Sequence, residues 1–149
     1  MANETWLTLA GNLTASPKLG ETRSGAAFAK LRVASTSRIF DRSESQWRDG
    51  DTVFLDVTCW RKLAEHAAAT LERGDRVLIF GRLRQRSYED AQGVRHTVHE
   101  VDAESLGPDL TRYAAQMLRP GRREAAASPR DSEDPVVASE PQEPAEAAA

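Results

Sequence analysis

The chain has 149 residues and a formal net charge of −3 at pH 7, so any basic patch that binds nucleic acid must be local. Its length allows one domain with an appendage, and its single cysteine, Cys59, excludes an intrachain disulfide framework and a multi-cysteine zinc site. No apolar run approaches the roughly 18 residues of a membrane span, and no basic segment followed by a hydrophobic one begins the chain, so we expect a cytoplasmic protein without membrane contact.

The first half of the chain alternates apolar and polar residues in three segments, which predicts three strands. These segments are "TWLTLAGNL", "AFAKLRVASTSR" and "VFLDVTCW". A loop through Pro17 and Gly25 separates the first two. Between the second and third lies the polar, Ser-rich segment "IFDRSESQWRDGD", which predicts a long flexible loop that holds Phe40 and Trp47.

The period then changes to that of a helix. Leu63, Ala67 and Leu71 recur every four residues in "KLAEHAAATLERG", which predicts an amphipathic helix that ends at Gly74. "DRVLIFGRLRQRSY" and "HTVHEVDAESL" predict a fourth and a fifth strand, joined by the hairpin connection "EDAQGVR". Five strands with one helix between the third and fourth is the element order of the OB-fold, a five-stranded Greek-key barrel.

The composition divides the chain into two parts. Residues 1–118 hold the predicted strands and helix and form an all-β domain with one helix. Residues 119–149 are rich in Ala, Pro and Glu and have too little apolar surface to offset the entropy of ordering the chain. They predict a disordered acidic tail.

The third strand predicts an unusual exposed face. Alternation places Val53, Leu55, Val57 and Cys59 towards a core and puts two aromatic rings, Phe54 and Trp60, on the opposite side. These rings suit either of two roles. They are platforms on which bases stack, or they pack under the loop over residues 38–52 or against another subunit.

Cationic side chains recur on the same side as these rings. On the fourth strand every second residue from Arg82 contributes to a basic ribbon that ends in an aromatic, and further cations lie on the second strand and at the start of the helix. Single-stranded nucleic acid needs this combination, because phosphates need cations and unpaired bases stack on flat apolar rings. The cationic and aromatic residues that we predict to bind it are Lys30, Arg32, Phe40, Trp47, Phe54, Trp60, Lys62, Arg82, Arg84, Arg86 and Tyr88.

No group of residues predicts catalysis. His96 and His99 lie three residues apart on a strand and therefore face opposite ways, which disfavours a metal pair. Cys59 lies on an apolar face, where burial disfavours the thiolate that a nucleophile paired with His66 would need. We expect no metal, no cofactor and no enzymatic activity. The remaining alternative is an OB-fold module that binds proteins and has lost DNA binding.

The segment "FLDVTCWRKLAEHAAATLERGDRVLIFGRLRQRSYEDAQGVRHTVHEV" resembles the core signature of the bacterial single-stranded-DNA-binding protein family. "LAGNLTASP" and "LRVASTSRIFDR" are similar to its first two strand motifs, and the resemblance covers roughly residues 5–110. It implies a homotetramer of OB-folds, associated with the nucleoid, that wraps single-stranded DNA during replication, recombination and repair without catalysis or cofactor. By position it implies base stacking and phosphate contacts by Phe40, Phe54, Trp60, Tyr88, Lys62, Arg84 and Arg86.

Two departures from the family pattern affect these expectations. Phe40 and Phe54 stand where other members often have Trp, which leaves stacking over a smaller ring. Members that recruit repair and replication proteins end in an acidic tip closed by Pro-Phe, whereas this sequence ends in "EPAEAAA". The resemblance therefore implies an accessory paralogue, with recruitment through the tip in doubt and weakened DNA binding as an alternative.

Overall fold

Six strands and one helix make up the computed structural model, which describes residues 3–120. Their bounds are β1 Trp6–Leu13, β2 Lys18–Glu21, β3 Ala27–Asp41, β4 Gln46–Trp60, α1 Arg61–Thr70, β5 Arg76–Glu89 and β6 Arg95–Pro108. The predicted fold class, mostly β with one helix after the strand that ends at Trp60, is confirmed. Of the predicted disordered tail, residues 119–149, the part from residue 121 onward lies outside the described residues. In the described part, no helix is long and apolar enough to cross a membrane.

The strands form one sheet that closes on itself. Their order is β1-β5-β6-β4-β3-β2, and β1 also pairs with β3 at Asn12↔Ala34 and Leu13↔Val33. At Gly11, a Cβ atom would lie 2.5 Å from the carbonyl oxygen of Ala34, so glycine permits the close approach that closure needs. Pairing between β4 and β6 is parallel, and the other pairs are antiparallel.

The core lies inside the closed sheet and is covered at one end by the helix. Alternate residues of the strands point inward, and Ala64 and Ala67 supply the buried face of α1. Cys59 is fully buried, and burial raises the pKa of its thiol to about 11. A thiolate at neutral pH is therefore disfavoured, as its place on an apolar strand face predicted.

The predicted flexible loop over residues 38–52 is wrong, because these residues extend β3 and β4 into a long hairpin. Both faces of the hairpin arms are exposed, so no core face imposes the alternation of apolar residues by which strands are recognised. The carboxylate of Asp41 accepts hydrogen bonds from Ser43 and Arg48 at the turn, and these lower its pKa.

Three smaller predictions also differ from the structure. The short strand β2 lies in the segment predicted as a loop, because its one large apolar side chain, Leu19, is exposed. The helix ends at Thr70 rather than at Gly74, whose positive φ of 92° and hydrogen bond to Leu13 belong to the turn before β5. Val53, predicted as core, is 53% exposed because it lies where the hairpin leaves the barrel.

Candidate nucleic-acid interface

The outer surface of β5, β6, β4 and β3 carries most of the residues that the sequence predicted to bind nucleic acid. We call it the four-strand face. Arg84 pairs in register with Glu100, Glu100 with Asp56, and Asp56 with Arg32. Because residues paired across neighbouring strands point to the same side, these four form one row across the sheet. Because side chains alternate between the two faces of a strand, the residues two and four positions away from this row along each strand lie on the same face.

Two aromatic rings stand on the central strand β4 of this face. Phe54 is 52% exposed and Trp60 is 41% exposed, so the alternative that they pack under the 38–52 segment is not what the structure shows. The Arg32 guanidinium lies 5.5 Å from the Phe54 ring centre, and Phe28 lies 5.8 Å from the ring of Trp60 at a tilt of 52°. Each ring is therefore supported by a neighbour and retains open surface.

A third ring, Tyr88, stands on β5 near the hairpin to β6. It is 45% exposed, with the Arg86 guanidinium 5.6 Å from its centre. His96 stacks on it at 5.3 Å and donates a hydrogen bond of 2.7 Å to the carboxylate of Asp90, which lowers the pKa of Asp90. This histidine thus supports an aromatic. Within residues 3–120 no cluster of three metal-ligating side chains is present.

A bulge brings the hairpin aromatics onto the same face. Thr36 pairs with Thr52, but Arg38 pairs with Asp49. Between these pairs β3 advances two residues and β4 advances three, so β4 carries one extra, bulged residue. This extra residue reverses the alternation of β4 beyond it. Phe40 and Trp47 therefore pair on the side that also carries Phe54, with ring centres 5.4 Å apart.

Gly50 lies within this bulge. A Cβ atom there would lie 2.5 Å from the hydroxyl oxygen of Ser37 and 2.8 Å from Cδ1 of Ile39. Glycine thus lets the two arms of the hairpin stay close where the register shifts. Its place in the polar "RDGD" segment is the sequence signal for the bulge, although that signal does not say which residues pair.

The predicted basic ribbon on β5 lies on the predicted face, but each of its arginines contacts a carboxylate. Arg84 lies 2.9 Å from Asp102, and Arg86 lies 2.8 Å from Glu100. Arg82 bonds Glu4 and lies 3.4 Å from Asp102. The ribbon is therefore a row of ion pairs, with 58% of the Arg84 side chain and 56% of Arg86 still exposed.

The cations on β3 and α1 are arranged in a similar way. Arg32 lies 3.0 Å from Asp56, and Lys62, at the second position of α1, lies 2.8 Å from Glu65. Among residues 3–120, Lys30 forms no ion pair and stands opposite Lys18 of β2. Lys18 was not predicted because β2 was taken for a loop.

An open groove of about 360 Å³ runs along this side of the sheet. Its charged walls include Lys18, Lys30, Arg32, Asp56, Arg86 and Glu100. The groove thus joins β2 and β3 to β5 across the two central strands. Cations line its flanks, and Phe54 and Trp60 stand on β4 on either side of the β4 residues that line it, so this side of the sheet suits a polyanion with flat apolar substituents.

A second group of exposed apolar side chains lies beside the four-strand face on the same outer side of the sheet, on β1 and the first residues of β5. Trp6 and Phe80 stack with centres 5.2 Å apart, and Leu78 is 51% exposed beside them. We call these three residues the β1–β5 patch. Leu78 and Phe80 alternate with buried Val77 and Ile79 along β5, a pattern that the sequence displays but that the prediction of a nucleic-acid site did not need.

Comparisons with known proteins agree on one family. Residues 5–109 match the Single-strand binding protein family. The chain is 50% identical over 119 residues to "Single-stranded DNA-binding protein 2" of Streptomyces coelicolor, covering 80% of this chain and 60% of that protein. It is 48% identical over 123 residues to "Single-stranded DNA-binding protein" of Mycolicibacterium smegmatis, covering 83% and 74% respectively.

A solved structure gives the same result. The crystal structure of a small single-stranded DNA-binding protein from Streptomyces coelicolor superimposes with a TM-score of 0.66 at 34% identity. The match covers 74% of this chain and 99% of that one. The described fold, the family match over residues 5–109 and these relatives lead to one conclusion. This chain belongs to the single-strand binding protein family.

Proposed function

We propose that this protein binds single-stranded DNA without sequence preference and protects it during replication, recombination and repair. It acts by binding, without catalysis and without a cofactor. The observation that carries the proposal is the four-strand face, where exposed rings of Phe54, Trp60 and Tyr88 stand among guanidinium groups on one surface. Membership of the family supports it.

The bases stack on the rings, and the phosphates contact the flanking cations. Each stacked base contributes about 1–3 kcal/mol, whichever base it is, because every base has a flat apolar face. Phe40 and Trp47 continue the aromatic path along the hairpin. The cations that serve the phosphates are Lys30, Arg32, Lys62, Arg82, Arg84 and Arg86.

Tryptophan fluorescence tests this proposal directly. A titration with oligodeoxythymidine should quench emission, and the quenching should persist when Trp6 is replaced by Phe, because the ring of Trp6 stacks on Phe80 in the β1–β5 patch. A Trp60→Phe variant should lose a large part of the signal. If the wild-type protein shows neither quenching nor a mobility shift at low salt, the proposal is wrong.

For assembly we propose a homotetramer in which the β1–β5 patch is covered by other copies of the chain. Trp6, Leu78 and Phe80 expose 43–51% of their surface, and β1 pairs with β3 only at its last two residues, which leaves most of one strand edge open. Exposed apolar side chains beside an open edge favour association. Light scattering should give four copies for the wild type and fewer for Phe80→Glu. A monomeric wild type would contradict this.

We also propose that the protein works at the nucleoid in the cytoplasm, where single-stranded DNA arises. Microscopy of a fluorescent fusion, with and without agents that stall replication, tests this placement. Diffuse signal that does not respond to such agents would contradict it.

A further inference from the structure

Three carboxylates occupy the middle of the four-strand face. Asp56 lies on β4, and Glu100 and Asp102 lie on the neighbouring strand β6. We call these three residues the acidic strip. Cations flank it on both outer strands, with Arg32 on β3 and the arginine ribbon on β5.

The strip depends on these arginines. Asp56 and Glu100 are direct partners across β4 and β6, and like charges in that position repel. Arg32 offsets one charge at 3.0 Å, and Arg86 offsets the other at 2.8 Å. The side-chain charges across β3, β4, β6 and β5 are therefore positive, negative, negative and positive. Loss of either arginine leaves a carboxylate facing another without compensation.

Each arginine also keeps donors free. A guanidinium has five N–H donors in a planar fork, and the contact with one carboxylate uses only part of it. Arg32 and Arg86 remain 53% and 56% exposed. A phosphate can therefore bind the open side of a guanidinium while the carboxylate holds the other.

We propose that Asp56 and Glu100 are positioning residues that fix where phosphates bind and limit how strongly they bind. The carboxylates hold the arginines at the two flanks, repel phosphates from the central strands and leave the space over β4 to the bases, where Phe54 and Trp60 stand. They also cancel part of the cationic charge that each phosphate meets. This inference rests on the proposed binding of single-stranded DNA and concerns the same site.

Each carboxylate has two opposite effects on the affinity for DNA, and electrostatics indicates which of the two is larger. Holding an arginine in place favours binding, but exposed ion pairs contribute little because water screens them. Repulsion between a carboxylate and a nearby phosphate acts only in the complex and adds to the loss of cationic charge. Removal of the negative charge with the shape retained should therefore tighten binding.

The test uses Asp56→Asn and Glu100→Gln in the full chain. We expect each variant to bind oligodeoxythymidine about threefold to tenfold more tightly at low salt. The gain should fade as salt rises, so that the slope of log affinity against log salt steepens by up to about 0.7. Glu72→Gln is the matched control, because it removes the same charge in the exposed turn between α1 and β5.

A double-mutant cycle shows whether each carboxylate acts through its arginine. On an Arg32→Ala background, Asp56→Asn should give a much smaller gain, and the same should hold for Glu100→Gln on Arg86→Ala. Equal or weaker binding by both single variants, or an equal gain in Glu72→Gln, would overturn the inference. Failure of the wild type to bind would instead overturn the proposed function. Two independent carboxylates keep the test decisive if one variant does not fold.

Discussion

Two regions on the outer side of one sheet expose aromatic rings, and they differ in what lies against those rings. On the β1–β5 patch, Trp6 and Phe80 cover each other at an interplanar angle of 15°. Arg82 is the cation paired in register with Trp6, but it contacts Glu4 and Asp102. The rings of this patch thus have an apolar neighbour, and among the described residues no guanidinium lies over either ring.

On the four-strand face, by contrast, guanidinium groups lie over the rings. Arg32 lies over Phe54 and Arg86 lies over Tyr88. Exposure alone would make the two regions equivalent, since the rings of both are between 41% and 59% exposed. The charges beside the rings are the reason why we propose a polyanion for one region and a protein partner for the other.

The largest expected effect separates two tryptophans, one from each surface. Trp60→Ala should weaken binding to any base composition by about 1–3 kcal/mol while assembly stays the same, because one stacking platform is lost. Trp6→Ala should instead reduce the number of copies seen by light scattering. Fluorescence titration and light scattering on both variants check the pair. Loss of assembly in Trp60→Ala with normal binding per assembled copy would show that Trp60 is structural.

The next effect tests the charges of the four-strand face. Arg84→Ala with Arg86→Ala should weaken binding and flatten the slope of log affinity against log salt by up to about 1.4, since each phosphate contact contributes about 0.7. Arg73→Ala, in the exposed turn before β5, is the control and should leave the slope unchanged. An unchanged slope in the double variant would mean that these arginines serve only Glu100 and Asp102.

A smaller effect concerns ring size on the same face. Phe54→Trp should tighten binding by less than about 1 kcal/mol, because a larger ring buries more apolar surface against a base. Phe80→Trp on the β1–β5 patch is the matched substitution and should not change affinity per assembled copy. Weaker binding by Phe54→Trp would mean that the Arg32 side chain leaves no room for the larger ring.

The smallest expected effect on binding belongs to a carboxylate off the four-strand face. Hydrogen bonds from Thr111 and Arg76 lower the pKa of Asp109 to about 2. Because the folded pKa lies below the usual value of 3.8, this stabilisation is complete above about pH 4 and is lost as pH falls towards 2. Asp109→Asn should remove that dependence from thermal unfolding measured between these pH values and leave DNA affinity at neutral pH unchanged.

Alternation along single strands predicted a large part of this site. Phe54 and Trp60 on one strand, and the arginine ribbon with Tyr88 on another, lie on the faces that a period of two assigns to them. The helical period of "KLAEHAAATLERG" likewise located α1, although its end was misplaced. These features depend on neighbours within a few residues, which a sequence displays directly.

The remaining features depend on pairing between distant segments, which only the tertiary structure decided. Trp47 is seven residues from Phe54, an odd number that alone would place them on opposite faces, and the bulge at Gly50 brings them together. The carboxylates that hold the arginine ribbon come from a different strand, β6. Sequence alone determined which side chains leave each strand together. The register between strands, set by packing of the whole barrel, determined which charges and rings meet.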